Sequence, residues 1–309
     1  MMDGMGTLGR AALAAALSTS FRQAVQRAVP AVAQALRQAG LVRRSRSGQE
    51  LPTAVGVVPA ALGWAGAAAL GRPAWAAAGA CAAAAGWVDD VAGQSEPKGL
   101  AGHLRASWNG RTLTTGAWKA LVIGAASGLA ALTAHGRPRG AGALAQAASV
   151  ALAANVLNQL DTRPGQAAAA FLGGWGYLAW RALATPSRRL GWLPYLPCAA
   201  AVAAYLPFDR EGRVMMGDTG ANALGACLGA MAADILPGRQ LARWVAALAL
   251  ATAAMDRVSA GRWLDRVGEA VRRLAADQAA DGRKALADGR SWAAQPAGTA
   301  GALPASRGA

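Results

Sequence analysis

The sequence is poor in the side chains that most metal and nucleophilic sites use. It has two histidines, His103 and His135, and three cysteines, Cys81, Cys198 and Cys227. The histidines are too few and too far apart for a histidine metal site, and the cysteines lack the paired spacing of a zinc site or redox pair. Because each cysteine lies in or beside an apolar run, we expect all three to be small buried hydrophobic residues.

Acidic residues are also scarce, with 16 Asp and Glu against 31 Lys and Arg, and the net charge is +15. Such an excess is typical of many nucleic-acid-binding proteins. Here, however, the basic residues lie between apolar runs and in the C-terminal tail, without a basic stripe interleaved with aromatics. We therefore expect no nucleic acid partner, and loops that face the cytoplasm and anionic lipid explain the charge more simply.

Aromatic residues make up only 6% of the chain, whereas 54% of its residues are hydrophobic, chiefly Ala, Leu and Val. They form runs of about 16 to 20 residues, slightly short for a bilayer core of roughly 30 Å. As a set, the runs predict an all-α fold, a polytopic transmembrane helical bundle of about 8–9 spans. The runs lie near 54–70, 74–88, 116–134, 142–160, 166–184, 190–206, 221–236 and 240–255.

This pattern divides the chain into three regions. Residues 1–38 form an N-terminal helix, whose polar residues at 22–27 leave a transmembrane and an interfacial position open. Residues 39–265 form a membrane-embedded domain, which begins with a basic linker at 39–53. Residues 266–309 form a cytoplasmic tail that we expect to be largely disordered, because it is charged and then rich in Ala, Gly, Pro and Ser.

The predicted spans place every acidic cluster at a span end on one side of the membrane. That side also carries most of the Lys and Arg, so the positive-inside rule makes it cytoplasmic in a multi-pass protein of the cell membrane. The turns on the opposite side weaken this contrast because they also carry arginines, namely Arg72, Arg137, Arg139, Arg188, Arg189 and Arg239.

Three acidic sites are predicted to converge on the cytoplasmic side: Asp89-Asp90, Asp161 and Asp218. Gathered carboxylates repel one another unless a cation or a basic ligand holds them. Hard oxygen ligands suit Mg²⁺, with Mn²⁺ as an alternative, and metal-assisted phosphoryl transfer is the chemistry that such a site favours.

A row of polar residues closes the run at 142–160. Asn155, Asn158 and Asp161 recur every third residue, so they share one helix face. Such residues at the end of a membrane-length apolar run are costly against lipid, which favours a position facing protein, water or a ligand. The alternative is a helix end whose polar residues meet the headgroup layer.

A glycine-rich turn, Gly217-Asp218-Thr219-Gly220, precedes the run at 221–236. Glycines let a backbone approach a phosphate closely, and the free amides at a helix start favour an anion. The alternative is an ordinary capping turn with Asp218 or Thr219 as the cap.

Three motifs of this chain, taken in order, resemble those of the polyprenyl-phosphate N-acetylhexosamine-1-phosphate transferase family. They are Asp89-Asp90, the N-x-x-N-x-x-D motif at 155–161 and the turn at 217–220. This family includes the phospho-N-acetylmuramoyl-pentapeptide transferase of peptidoglycan synthesis and related glycosyltransferase family 4 proteins. The resemblance covers roughly residues 45–265, and Pro52-Thr53 looks like the family's Pro-Thr loop. It implies that a polyprenyl phosphate attacks a UDP-sugar, giving a lipid-diphosphate-sugar and UMP.

The resemblance also implies roles for residues. Asp218 matches the Mg²⁺-binding Asp, Asp89 and Asp90 match a pair that serves the lipid phosphate or the metal, and Asn158 and Asp161 match residues around the nucleotide. We therefore predict Asp89, Asp90 and Asp161 as catalytic and Asp218 and Asp90 as metal ligands. The predicted substrate-binding residues are Asn155, Asn158, Pro52, Thr53, Lys98, Arg163, Gly217 and Gly220.

The chain departs from the muramoyl-pentapeptide branch in three places. Gly93 stands where that branch has a Lys, and Arg163-Pro164-Gly165 stands where it has a second Asp-Gly. The family also has a histidine-rich loop, but the corresponding residues 255–266 of this chain contain no histidine. A second hypothesis is therefore a non-catalytic relative that binds polyprenyl phosphate or scaffolds envelope enzymes. Monomer and homodimer both stay open.

Overall fold

The computed structural model describes residues 6–45, 48–92, 115–133 and 140–257. Within these ranges the chain forms nine α-helices and one two-stranded sheet, which confirms the predicted all-α class. The predicted tail at 266–309 lies outside the described residues. The helices are α1 (Thr7–Gln38), α2 (Val57–Ala69), α3 (Pro73–Ala92), α4 (Thr115–Thr133), α5 (Ala141–Leu160), α6 (Gln166–Leu183), α7 (Leu196–Arg210), α8 (Gly217–Ile235) and α9 (Gly238–Arg257).

Helix α8 is the centre of the bundle. All of its residues except Asp218 and Asp234 are buried, and α5 and α3 pack along it more extensively than any other helix. Small residues permit this packing, because a Cβ at Gly225 or Gly229 would overlap the backbone of α5. A continuous buried helix rich in Ala and Gly therefore carries Asp218 at one end of the bundle and Asp234 at the other.

The predicted basic linker at 39–53 contains a β-hairpin instead. Strand β1 (Val42–Arg44) pairs antiparallel with β2 (Glu50–Pro52). The chain after β2 then bonds to the segment before α8: Met215 N donates to Pro52 O at 2.9 Å, and Val55 N donates to Met215 O at 3.1 Å. This pairing fixes the segment that follows Pro52 beside the start of α8.

Asp234 organises a polar cluster at the far end of α8. Its carboxylate accepts hydrogen bonds from Arg72, from Tyr195 Oη at 2.8 Å and from Trp75 Nε1 at 3.3 Å, and its backbone carbonyl accepts one from Arg188. Arg72 and Arg188, two of the arginines that weaken the predicted charge asymmetry, are therefore both bound to Asp234.

Two helices in the described part of the chain have the length and hydropathy of a membrane span: α4 over Gly116–Thr133 and α5 over Ala141–Leu160. Helix α2 is apolar but shorter, and α1 and α9 carry many polar residues. A bundle of eight or nine spans therefore stays a prediction. Among the cysteines, Cys198 and Cys227 are buried as expected, but the expectation is wrong for Cys81, which is exposed.

Candidate active site

A lysine bridges two carboxylates at one end of the bundle. Lys119 Nζ lies 2.7 Å from Asp89 Oδ2 and 2.6 Å from Asp218 Oδ2. The three residues come from different helices: Asp89 from the last turns of α3, Lys119 from the first turns of α4 and Asp218 from the start of α8. Their side chains are 14–23% exposed, so the cluster is shielded but open to a ligand.

Asp90 faces a different way from its neighbour Asp89. Its side chain is only 1% exposed, and its carboxylate accepts hydrogen bonds from Asp218 N at 3.1 Å, Thr219 N at 2.9 Å and Thr219 Oγ1 at 2.7 Å. Asp90 thus caps the N-terminus of α8 from another helix, where a negative charge is stabilised by orphan amides and the helix dipole. The free amides that we predicted for a substrate phosphate are bound by the protein's own carboxylate.

The polar residues at the end of α5 have different hydrogen-bond partners. With its amide nitrogen facing Asp218 and its amide oxygen facing Lys119, Asn158 donates to Asp218 Oδ1 at 3.2 Å and accepts from Lys119 Nζ at 3.3 Å. Asn155, which we predicted as a substrate-binding residue, donates to Thr252 Oγ1 at 3.1 Å and joins α5 to α9. Asp161 follows α5 and accepts a hydrogen bond from the amide of Gly217.

Asp161 is a further carboxyl group at this end of the bundle, beside Asp89, Asp90 and Asp218. Burial and the nearby charges of Asp209, Asp218 and Asp90 raise the pKa of Asp161 well above its usual value, and the Gly217 amide offsets part of that effect. Asp161 therefore lies near Asp90 and Asp218, and all four predicted acidic residues lie at the same end of the bundle.

The pKa of Asp161 predicts a pH-dependent stability. A carboxyl group with a raised pKa in the folded state stabilises the fold fully below its unfolded pKa of about 3.8, and that contribution is lost as pH rises towards the folded pKa. Asp161→Asn removes the ionisation. We expect the melting temperature of the variant to exceed that of the wild type by more at pH 8 than at pH 5.

Glu211→Gln is the control for this measurement, because the Glu211 carboxylate is exposed and forms an ion pair with the exposed Arg213. It should leave the pH dependence of the melting temperature unchanged. If the melting temperatures of the wild type and Asp161→Asn change with pH in parallel, the raised pKa assigned to Asp161 is contradicted.

The predicted substrate-binding glycines are buried against protein. At Gly217, where φ is +71°, a Cβ would lie 2.6 Å from Ala54 N and 2.7 Å from Asp90 Oδ2. A Cβ at Gly220 would lie 2.6 Å from Gly56 Cα. These glycines therefore let the segment after the hairpin approach α8 closely, and their contact with a substrate phosphate stays a prediction.

Pro52 and Thr53 also lie behind the carboxylates. Both are buried, and the hydroxyl of Thr53 is 3.5 Å from Asp90 Oδ1. They support the residue that caps α8, which places them at the back of the site. Of the other predicted substrate residues, Arg163 is half-buried in the turn after α5, and Lys98 lies outside the described residues.

The structure brings two basic residues to these carboxylates that the sequence motifs did not identify, Lys119 and Arg43. Lys119 had one detectable signal, because a single charged residue inside a membrane-length apolar run is costly unless it has a partner. Arg43 had none, since it is one of several arginines in the supposed linker. Its guanidinium contacts the backbone carbonyls of Asp89 and Asp90.

The donor set suits a hard divalent cation. No group of three or more His, Cys, Asp or Glu in the described ranges is arranged to hold a metal alone. Mg²⁺, however, usually takes one or two protein carboxylates together with waters and substrate phosphates. Asp218 and Asp89, which share one ammonium partner and are partly exposed, meet this requirement, whereas the predicted ligand Asp90 directs its oxygens to α8.

An all-helical protein that gathers carboxylates, a lysine and a carboxamide at one end has the features of an enzyme that transfers phosphate-bearing groups. The family model of glycosyl transferase family 4 matches residues 73–235, which is more than half of the chain. The protein therefore belongs to glycosyl transferase family 4 and is a transferase of the membrane sugar-phosphate type. No curated protein matches the chain.

The matched region runs from the start of α3 to the end of α8, so it contains Asp89, Asp90, Lys119, Asp161 and Asp218. Members of the family are typically associated with membranes, which agrees with the two span-like helices α4 and α5. The hairpin and its Arg43 lie outside the matched region.

Proposed function

We propose that this protein transfers a sugar 1-phosphate from a UDP-sugar to a polyprenyl phosphate, with Mg²⁺ as cofactor, for the synthesis of cell-wall or other envelope glycans. The observation that carries the proposal is the Lys119 bridge between Asp89 and Asp218. In the reaction, an oxygen of the lipid phosphate forms a bond to the β-phosphorus of the donor. The bond from that phosphorus to UMP breaks, and UMP leaves.

The nucleophile needs little activation by the protein. A phosphate monoester has a second pKa near 6, so much of the lipid phosphate is dianionic at neutral pH. The main tasks of the site are then to bring two anionic substrates together and to stabilise the charge that develops on the leaving group. Lys119 supplies a fixed positive charge between the two carboxylates, and Asn158 orients both Lys119 and Asp218.

Asp218 and Asp89 would hold Mg²⁺, which supplies charge neutralisation for the diphosphate. Asp90 caps the first turn of α8 and so helps to hold the backbone that carries Asp218. Asp161 lies just after α5, and the family resemblance implies that this residue is close to the nucleotide.

We further propose that the protein is a multi-pass protein of the cell membrane, with the site facing the cytoplasm. The support comes from the two span-like helices and from the position of the carboxylates at one end of the bundle. In that orientation a water-soluble nucleotide sugar and the headgroup of a membrane lipid reach the same carboxylates.

The test is UMP release by purified protein from a panel of UDP-sugars with undecaprenyl phosphate and Mg²⁺. We expect Asp218→Asn to lower the rate by roughly 100-fold or more, because a preorganised charge at a phosphoryl-transfer site is worth about that much. Glu211→Gln, a carboxylate-to-amide change on the exposed 211–213 ion pair, is the matched control and should keep the wild-type rate. Chelation of Mg²⁺ should abolish release.

The second candidate is the non-catalytic relative, which the absence of histidine from residues 255–266 favours. It predicts that undecaprenyl phosphate binds to the wild type while no donor yields UMP. The same panel therefore separates the two candidates.

A further inference from the structure

Arg43 reaches the acidic site from the hairpin. Its Nη2 atom lies 3.3 Å from the carbonyl oxygen of Asp89, 3.4 Å from that of Asp90 and 3.7 Å from Asp90 Oδ1. The two carbonyls belong to the last turns of α3, where the helix dipole adds negative potential. The guanidinium is therefore attracted to the rim of the site on the side that the hairpin covers.

The backbone that carries Arg43 is fixed relative to that rim. Arg43 pairs with Leu51 in the hairpin, and Thr53 N donates to Leu41 O at 3.1 Å just beyond it. The same strand continues into the bonds with Met215 and Met216, which directly precede α8. The backbone of Arg43 is therefore connected by a series of backbone hydrogen bonds to the start of α8, which carries Asp218.

Asp90 does not need Arg43 as a partner. Its carboxylate already accepts three hydrogen bonds of 2.7–3.1 Å from the start of α8, whereas the contact with Arg43 is longer, at 3.7 Å. The three contacts of Arg43 with Asp89 and Asp90 all use one nitrogen, Nη2, and its side chain is 44% exposed. Much of a planar, multi-donor group that suits phosphate oxygens therefore faces outwards beside the acidic cluster.

We infer that Arg43 is a phosphate-binding residue of this site, with a guanidinium that donates to non-bridging oxygens of a substrate phosphate. The inference rests on the proposed function and deepens it. The same chemistry fits the phosphate of the lipid and the diphosphate of the nucleotide sugar. In either case Arg43 and Lys119 supply positive charge from two separate elements, the hairpin and α4, to a cluster of carboxylates.

Direct binding tests the inference without requiring turnover. The probes are undecaprenyl phosphate in lipid nanodiscs and UDP in solution, and the proteins are full-length wild type, Arg43→Gln, Arg43→Lys and Arg44→Gln. Arg44 is the matched control, because it is the next residue of the same strand, is exposed, and directs its side chain to the opposite face of the hairpin.

We expect Arg43→Gln to weaken binding of one probe about 10-fold, equivalent to roughly 1.4 kcal/mol, with Arg43→Lys intermediate and Arg44→Gln unchanged. The affected probe identifies the phosphate that Arg43 binds. Equal dissociation constants for the wild type and Arg43→Gln with both probes, or equal losses in Arg43→Gln and Arg44→Gln, would overturn the inference. Failure of the wild type to bind either probe would overturn it as well.

The binding experiment on Arg43 can be interpreted separately from the UMP-release assay that tests the proposed function. Unchanged binding in Arg43→Gln, together with UMP release by the wild type, removes Arg43 from the site and leaves the transferase intact. Weaker binding in Arg43→Gln, together with no UMP release from any donor, keeps the phosphate site and favours the non-catalytic relative.

Discussion

Replacement of Lys119 by Gln is expected to reduce UMP release by roughly 100-fold or more and to destabilise the protein when Mg²⁺ is absent. The ammonium group is the shared partner of Asp89 and Asp218, and all three side chains are largely shielded from water. Removal of one member of a buried charge cluster typically costs about 3–5 kcal/mol, because the remaining charges are left without compensation. The expected loss of activity reflects the removal of a preorganised charge.

Mg²⁺ provides a specific readout for this variant. If the cation binds the carboxylates that Lys119 bridges, it replaces part of the missing positive charge. Saturating Mg²⁺ should therefore raise the melting temperature of Lys119→Gln more than that of the wild type, since a ligand that binds only the folded state stabilises it. Arg213→Gln, which breaks the exposed ion pair with Glu211, is the control and should change the melting temperature little.

An equal response to Mg²⁺ in the wild type and Lys119→Gln would place the cation away from Asp89 and Asp218. Retention of the wild-type rate in Lys119→Gln would mean that the bridge only stabilises the fold. Lys119→Arg keeps the charge but changes its shape, and should restore stability more completely than activity.

The helices could be predicted closely from the sequence because their signals are local. The apolar runs predicted at 116–134, 142–160 and 166–184 match α4, α5 and α6 to within one residue at each end. Each run is bounded by glycine, proline or charged residues, which end a helix whatever surrounds it. The start of α7 was less accurate, because Leu193–Tyr195 forms a short 3-10 turn within the predicted run.

The hairpin could not be predicted because its stabilisation is not local. Strands of three residues give no reliable alternating pattern, and the arginines of β1 are typical of a basic linker. The strand after Pro52 is held by Met215 and Met216, which lie more than 150 residues further along the chain. Only the packed structure reveals this pairing, and with it the position of Arg43.

The position of the acidic residues at one end of the bundle could be predicted from the sequence, but the different contacts of each carboxylate could not. The motifs brought Asp89, Asp90, Asp161 and Asp218 into one group, because each of them ends or starts a helix at the same end of the bundle. Which carboxylate faces a ligand and which caps α8 depends on the rotation of α3 against α8. That rotation is set by the close contact of Gly86 with the backbone of Asp218, which no sequence motif records.

Substitutions of the adjacent residues Asp89 and Asp90 should therefore have different effects on stability and activity. Asp90→Asn replaces the acceptor of the amides of Asp218 and Thr219 by a group with its own donors, so one donor must face another in a buried site. We expect it to destabilise the fold by roughly 2–4 kcal/mol, the range for lost hydrogen bonds to a buried charged group, and to reduce activity as a consequence. Asp89→Asn should lower UMP release by about 100-fold with a much smaller change in the melting temperature.

Measurement of the melting temperature and of UMP release for both variants in one preparation decides between two roles for Asp90. A stable Asp90→Asn protein that has lost activity and Mg²⁺ binding would make Asp90 a metal ligand, as our sequence analysis predicted. An unstable Asp90→Asn protein beside a stable, inactive Asp89→Asn protein would make Asp90 the cap that holds Asp218 in place. The second outcome is the one that we expect, because both carboxylate oxygens of Asp90 accept hydrogen bonds from the start of α8, whereas Asp89 and Asp218 face Lys119.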